Sequence, residues 1–153
     1  MRGPSGAAAP ETSPMSIPPF SLFSAISELF VTAGVFFVVR RNWTRRTFPL
    51  GIFLAVALFE ALVNVMYMAN RASQAASGVH VISPGLRLFY ALHGMLSLIA
   101  YLVFVILGVF AYQESREGRF WFRDRPALTW TFVVLWTVSI VSGEIIFAVR
   151  YLL

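Results

Sequence analysis

The sequence predicts an all-α integral membrane protein, a four-helix antiparallel bundle with both termini outside. Three observations predict it. Hydrophobic residues make up 58% of the 153-residue chain and charged residues 12%, about half the ~25% charged fraction of a soluble domain. So much apolar surface needs lipid as its solvent. The apolar residues also fall into four runs, at 20–39, 48–69, 86–112 and 127–149. Each is long enough to cross a hydrocarbon core of ~30 Å at about 1.5 Å rise per residue. Finally, the arginines are unevenly shared. Arg40, Arg41, Arg45, Arg46, Arg116, Arg119, Arg123 and Arg125 follow the first and third runs, against Arg2, Arg71, Arg87 and Arg150 on the other side. The positive-inside rule then puts both basic loops in the cytoplasm, across the cell inner (cytoplasmic) membrane.

Taken in order, residues 1–19 are rich in Pro, Gly, Ala and Ser and carry no apolar run, which predicts a disordered tail rather than a signal peptide. The first span, 20–39, closes on Arg40 and Arg41. The basic loop after it contains Trp43, an interfacial anchor. Pro49 opens the second span, 48–69, where its missing N–H is no loss. The polar stretch 70–85 contains Arg71, His80 and the Pro84-Gly85 breaker. The third span, 86–112, is the longest. The second basic loop carries Trp121, and the fourth span, 127–149, carries Trp130 near the same side. Gly34-Val35-Phe36-Phe37 and Gly108-Val109-Phe110-Ala111 precede the two basic loops, a short echo that a duplicated hairpin or chance would both produce.

Composition excludes several chemistries. Without cysteine there are no disulfides, thiolate metal sites or cysteine nucleophiles. Without lysine there is no Schiff-base or P-loop lysine. The net charge of +5 resides in arginines flanking apolar runs, so it addresses membrane lipids and not nucleic acid. No Ser/His/Asp constellation, HExxH motif or Gly-rich phosphate loop is present, and enzymatic activity is not expected.

The functional signal is a polar layer. Glu28, Glu60, His93 and Glu144 each lie within a different span, and counting residues places all four in the outer half of the membrane. Glu60, Asn64 and Tyr67 share one helical face, as do His93, Ser97 and Tyr101, with Tyr90 one turn before His93. Ser139 and Gly143 form a small-xxx-small pair that admits a neighbouring helix beside Glu144. Buried carboxyl groups often serve as interhelical hydrogen-bonding glue. Yet each charged centre costs roughly 2.5–3.5 kcal/mol on insertion scales, and four at one level favour a site. Imidazole with carboxylates suits a transition metal, through His93, Glu28, Glu60 and Glu144. A haem held by His93 alone, with Tyr90 and Tyr67 beside it, stays open, as does proton relay through Glu and His.

Arg125-Pro126-Ala127, the run 130–143 that follows, the aromatic end of span two near Tyr67 and the early histidine His93 together resemble a family of small four-helix membrane proteins with CtaM-like and YozB-like members. The resemblance implies an inner-membrane accessory role in assembling haem-copper cytochrome oxidases, with haem or a transition metal handled by the polar layer and a respiratory oxidase subunit as partner. His93 is the histidine that carries over; other histidines of that family have no counterpart here. Two further readings stand beside it: a small proton-coupled carrier, working as a homo-oligomer, and a scaffold for partner helices, in which Gly94, Gly108 and Gly143 are packing positions.

Overall fold

Five helices occupy residues 19–76 and 84–152, the part of the chain that the computed structural model describes. They are α1 (Pro19–Thr44), α2 (Leu50–Ala76), α3 (Pro84–Arg116), α4 (Trp121–Asp124) and α5 (Pro126–Tyr151). Four of them, all but α4, are long and apolar enough to cross a membrane. The protein is therefore a multi-pass membrane protein by length and composition of its helices. The expected tail lies, up to residue 18, outside the described residues, and so does His80.

Each long helix outruns its predicted span. α1 continues five residues past 39, through Arg40, Arg41 and Asn42 to Thr44. Arginine is a good helix former, and its long stem lets the charged head reach the interface while the backbone stays helical. α2 continues from 69 to Ala76, because the polar stretch after Ala69 contains Ala, Arg and Gln and no breaker. α2 starts at Leu50, and the Pro49 carbonyl accepts from the Phe53 N–H at 3.0 Å. α4 was not predicted; it is a single turn inside the second basic loop.

The core is built from one stripe on each helix. Val31, Val35, Val38 and Val39 on α1 face Phe53 and Ala57 on α2, Ala100, Phe104, Leu107 and Ala111 on α3, and Phe132 and Trp136 on α5. The spacing of three, four and seven keeps each set on one side of its helix. Phe104 is the hub, with its ring centroid 5.2 Å from Phe53, 6.2 Å from Phe132 and 5.7 Å from Trp136. Away from these stripes, Phe30, Leu58, Val65 and Met68 are exposed. In water such a surface would aggregate; against acyl chains it is the ordinary exterior.

Two glycines let α2 approach its neighbours. A Cβ built on Gly108 of α3 would overlap the Phe53 ring, and one on Gly34 of α1 would stand 2.6 Å from Val56 Cγ2. Both glycines of the sequence echo are thus notches for α2 side chains. Gly94 meets no neighbour within the chain. Between α1 and α2 the surface opens into an apolar groove of about 480 Å³ lined by Phe23, Ile26, Phe30, Val56 and Phe59, among others.

At the arginine-rich end the two basic loops are clasped by Asn42. Its side chain is fully buried, and Oδ1 accepts from the N–H groups of Trp121 and Phe122 at 3.1 and 3.2 Å. Thr129 Oγ1 donates to Phe122 O at 2.8 Å, tying α4 to the start of α5.

Candidate functional site

The site begins with the pairing of α3 and α5. Small side chains on both helices permit close approach, and hydroxyls knit the seam: Ser97 Oγ and Ser139 Oγ lie 2.9 Å apart. One turn before Ser97, His93 Nδ1 lies 2.8 Å from Ser142 Oγ. Ser142 Oγ also donates its single proton to Ser139 O at 2.7 Å. A hydroxyl whose proton is committed to a carbonyl has only lone pairs left for a second partner. The hydrogen-bond network therefore assigns the proton to His93 Nδ1 and leaves Nε2 as an acceptor.

Nε2 points at the notch of Gly143. A Cβ at that position would stand 3.0 Å from His93 Cε1, 3.4 Å from His93 Nε2 and 3.4 Å from Glu28 Oε2. The imidazole edge of α3 and the carboxyl group of α1 thus converge on one point beside α5, in space that exists because residue 143 has no side chain. Ser27 and Val31 are buried against the same core, which sets the rotation of α1 that turns Glu28 inward.

Glu60 is the second carboxyl group of the site. Asn64 Nδ2 donates to Glu60 Oε1 at 2.9 Å and to Glu60 O at 2.9 Å, the i, i+4 relation expected from the sequence. Glu28 and Glu60 line one small cavity with Ser97, Ala100, Trp136, Ser139 and Ile140. Its volume of about 10 Å³ is close to the smallest space that holds one water, and carboxyl and hydroxyl oxygens supply the partners a water needs. Glu144 Oε1 is shielded and meets no hydrogen-bond partner among the described residues.

Of the predicted site residues, the fold brings His93, Glu28 and Glu60 together, with Glu144 beside Gly143. It does not assemble them as a metal centre. Among the described residues no three His, Cys, Asp or Glu side chains are grouped to hold a metal ion. His93, the haem ligand that the sequence suggested, does not line the water-sized cavity between Glu28 and Glu60. Tyr67 is 40% exposed, and neither Tyr67 nor Tyr90 lines the cavity.

Three contributors were not foreseen. Ser142 fixes the imidazole, and its signal was the Ser139-x-x-Ser142 spacing, one turn on the face that also carries Gly143. Trp136 Nε1 donates to Thr32 Oγ1 at 3.2 Å, holding α1 to α5 one turn from Glu28. Asn42 closes the far end and had no motif around it. Tyr101, placed by spacing on the His93 face, donates to Ala57 O of α2 at 3.2 Å. The chain matches no protein-family model, no curated protein and no solved structure.

Proposed function

We propose that the chain is a proton-coupled membrane carrier whose proton-binding element is the Glu28–His93 pair. One observation carries this reading: Glu28 Oε2 and His93 Nε2, a nitrogen with a free lone pair, each stand 3.4 Å from where a Cβ of residue 143 would lie, inside a multi-pass helical protein. Exchange between them runs through one bridging water: the carboxyl O–H bond breaks as its proton passes to the water, and the water releases another proton to form Nε2–H, leaving carboxylate and imidazolium on either side of the notch. Ser142 keeps Nδ1 in place through the exchange, and the water-sized cavity extends the same chemistry to Glu60. In the membrane, ionisable groups of this kind mark proton and ion pathways. Arginine distribution and loop lengths support an antiparallel bundle in the inner membrane, with both termini outside and the site in the outer half. Four helices enclose little space, so transport of anything larger than a proton takes place between copies in a homo-oligomer.

Reconstitution into liposomes with an entrapped pH dye tests it. An imposed gradient is expected to drive proton uptake by the native protein, lost in Glu28→Gln and His93→Gln with helical content unchanged. Equal uptake by all three sinks the reading. The oxidase-assembly role that the resemblance implies is the second reading, and the exposed apolar faces around Phe30, Leu58 and Val65 support it as surface for partner helices. Co-purification of an oxidase subunit, independent of Glu28 and His93, would favour it.

A further inference from the structure

The arginines at the clasped end of the bundle divide into two groups. Arg119 pairs with Glu114 and Glu117, and Arg125 with Glu114 at 3.4 Å. Arg46 and Arg123 have no carboxylate within ion-pair distance among the described residues, and both are exposed. They come from different loops, yet both sit over one ring: Arg46 Cζ is 5.6 Å and Arg123 Cζ 5.1 Å from the centroid of Phe120. Two guanidinium groups from different loops thus flank one aromatic ring, at the end of the bundle where the Asn42 clasp joins the loops. Stacking on a ring face occupies the flat side of a guanidinium and leaves its edge N–H donors free for a planar or tetrahedral oxyanion.

The surroundings say which anion. Next in sequence, Trp121 stacks on Phe110, centroids 5.2 Å apart, and Arg125 lies 3.7 Å over the Trp121 ring. Phe110 is itself 46% exposed and belongs to the membrane-spanning α3. Charge and apolar surface therefore adjoin at the level where tryptophan and arginine anchor a protein in the headgroup region. We infer that the notch formed by Arg46, Phe120 and Arg123 is a binding site for the phosphate of an anionic phospholipid, whose acyl chains lie along the exposed side of α3. The inference is independent of the proton reading, since none of these residues touches Glu28 or His93.

The full chain in nanodiscs of phosphatidylcholine with a minor share of phosphatidylglycerol tests this, by counting lipids retained in native mass spectrometry. A basic residue in direct contact with an anionic headgroup is taken to strengthen the attraction about fivefold. Arg46→Gln with Arg123→Gln is expected to lower the phosphatidylglycerol preference on the order of 30-fold. The charge-matched control, Arg40→Gln with Arg116→Gln, changes it by less than about threefold. Phe120→Leu, which keeps every charge and removes the platform, lowers it about fivefold, and serves if the double variant fails to fold. Equal losses in both double variants would mean diffuse attraction and overturn the site. Displacement of the lipid by millimolar inorganic phosphate would overturn the lipid assignment.

Discussion

Gly143→Ala is the sharpest probe of the site, because it adds one methyl group at the meeting point. The new Cβ would stand 3.0 Å from His93 Cε1, where ordinary carbon contact is about 3.5–4.0 Å. The ring has to withdraw from α5 by about half an ångström. Ser142 is on the same helix and holds Nδ1 at 2.8 Å, so withdrawal stretches that bond as well. Overpacking costs about 1–3 kcal/mol, and replacing glycine by alanine in a helix returns about 1 kcal/mol. The net loss of about 0–2 kcal/mol leaves the protein folded. Function is more sensitive, since a displacement near 1 Å at a reacting centre can cost on the order of 100-fold. The assay pairs unfolding in denaturing detergent with ¹⁵N-imidazole NMR in a His80→Gln background, where His93 is the sole histidine. The expected outcome is a folded protein that loses the Nδ1–H tautomer and most of its proton uptake. A folded Gly143→Ala protein with unchanged His93 resonances and unchanged uptake would refute the convergence of Glu28 and His93 on that notch.

Three further outcomes follow from the same structure. Ser142→Ala removes the acceptor for Nδ1–H, costs about 0.6 kcal/mol or less, as polar contacts within membranes do, and gives a mixed tautomer spectrum at His93. Gly108→Ala drives a methyl into the Phe53 ring and destabilises by about 3 kcal/mol or more in detergent unfolding; adding Phe53→Leu recovers at least half of that loss, while two independent sites would simply add. Asn42→Ala leaves the buried Trp121 and Phe122 N–H groups without their acceptor, at about 1–3 kcal/mol each, and exposes the second basic loop to proteolysis that the native protein resists.

Four spans were legible because a bilayer imposes a length and a solvent that composition alone reveals. Their ends were not. Arg40 and Arg41 read as a boundary on charge, whereas helical backbone continues wherever arginine reaches the interface, and α1 runs on to Thr44. Glu28 and Glu60 line one cavity, Glu28 and His93 flank Gly143, and helical spacing found the Glu60–Asn64 bond. Rotation of each helix about its axis was beyond reach, because all four are apolar nearly all round. Hence Ser142 was passed over. A metal-ligand set needs three donors to converge, and among the described residues no such group of His, Cys, Asp or Glu occurs.

The notches at Gly34 and Gly108 have a mechanical consequence. α2 rests on α1 and α3 without reaching α5, and it does so by seating Val56 and Phe53 in those two sockets. α1, α3 and α5 form a frame, cross-bolted by Thr32 to Trp136 and by His93 to Ser142; α2 is a door leaf hung on it. Glu60 is mounted on the leaf and Glu28 on the frame. The groove between α1 and α2 runs beside that joint, so the two carboxyl groups of the water-sized cell stand on separately mounted parts, while the imidazole is fixed to the frame.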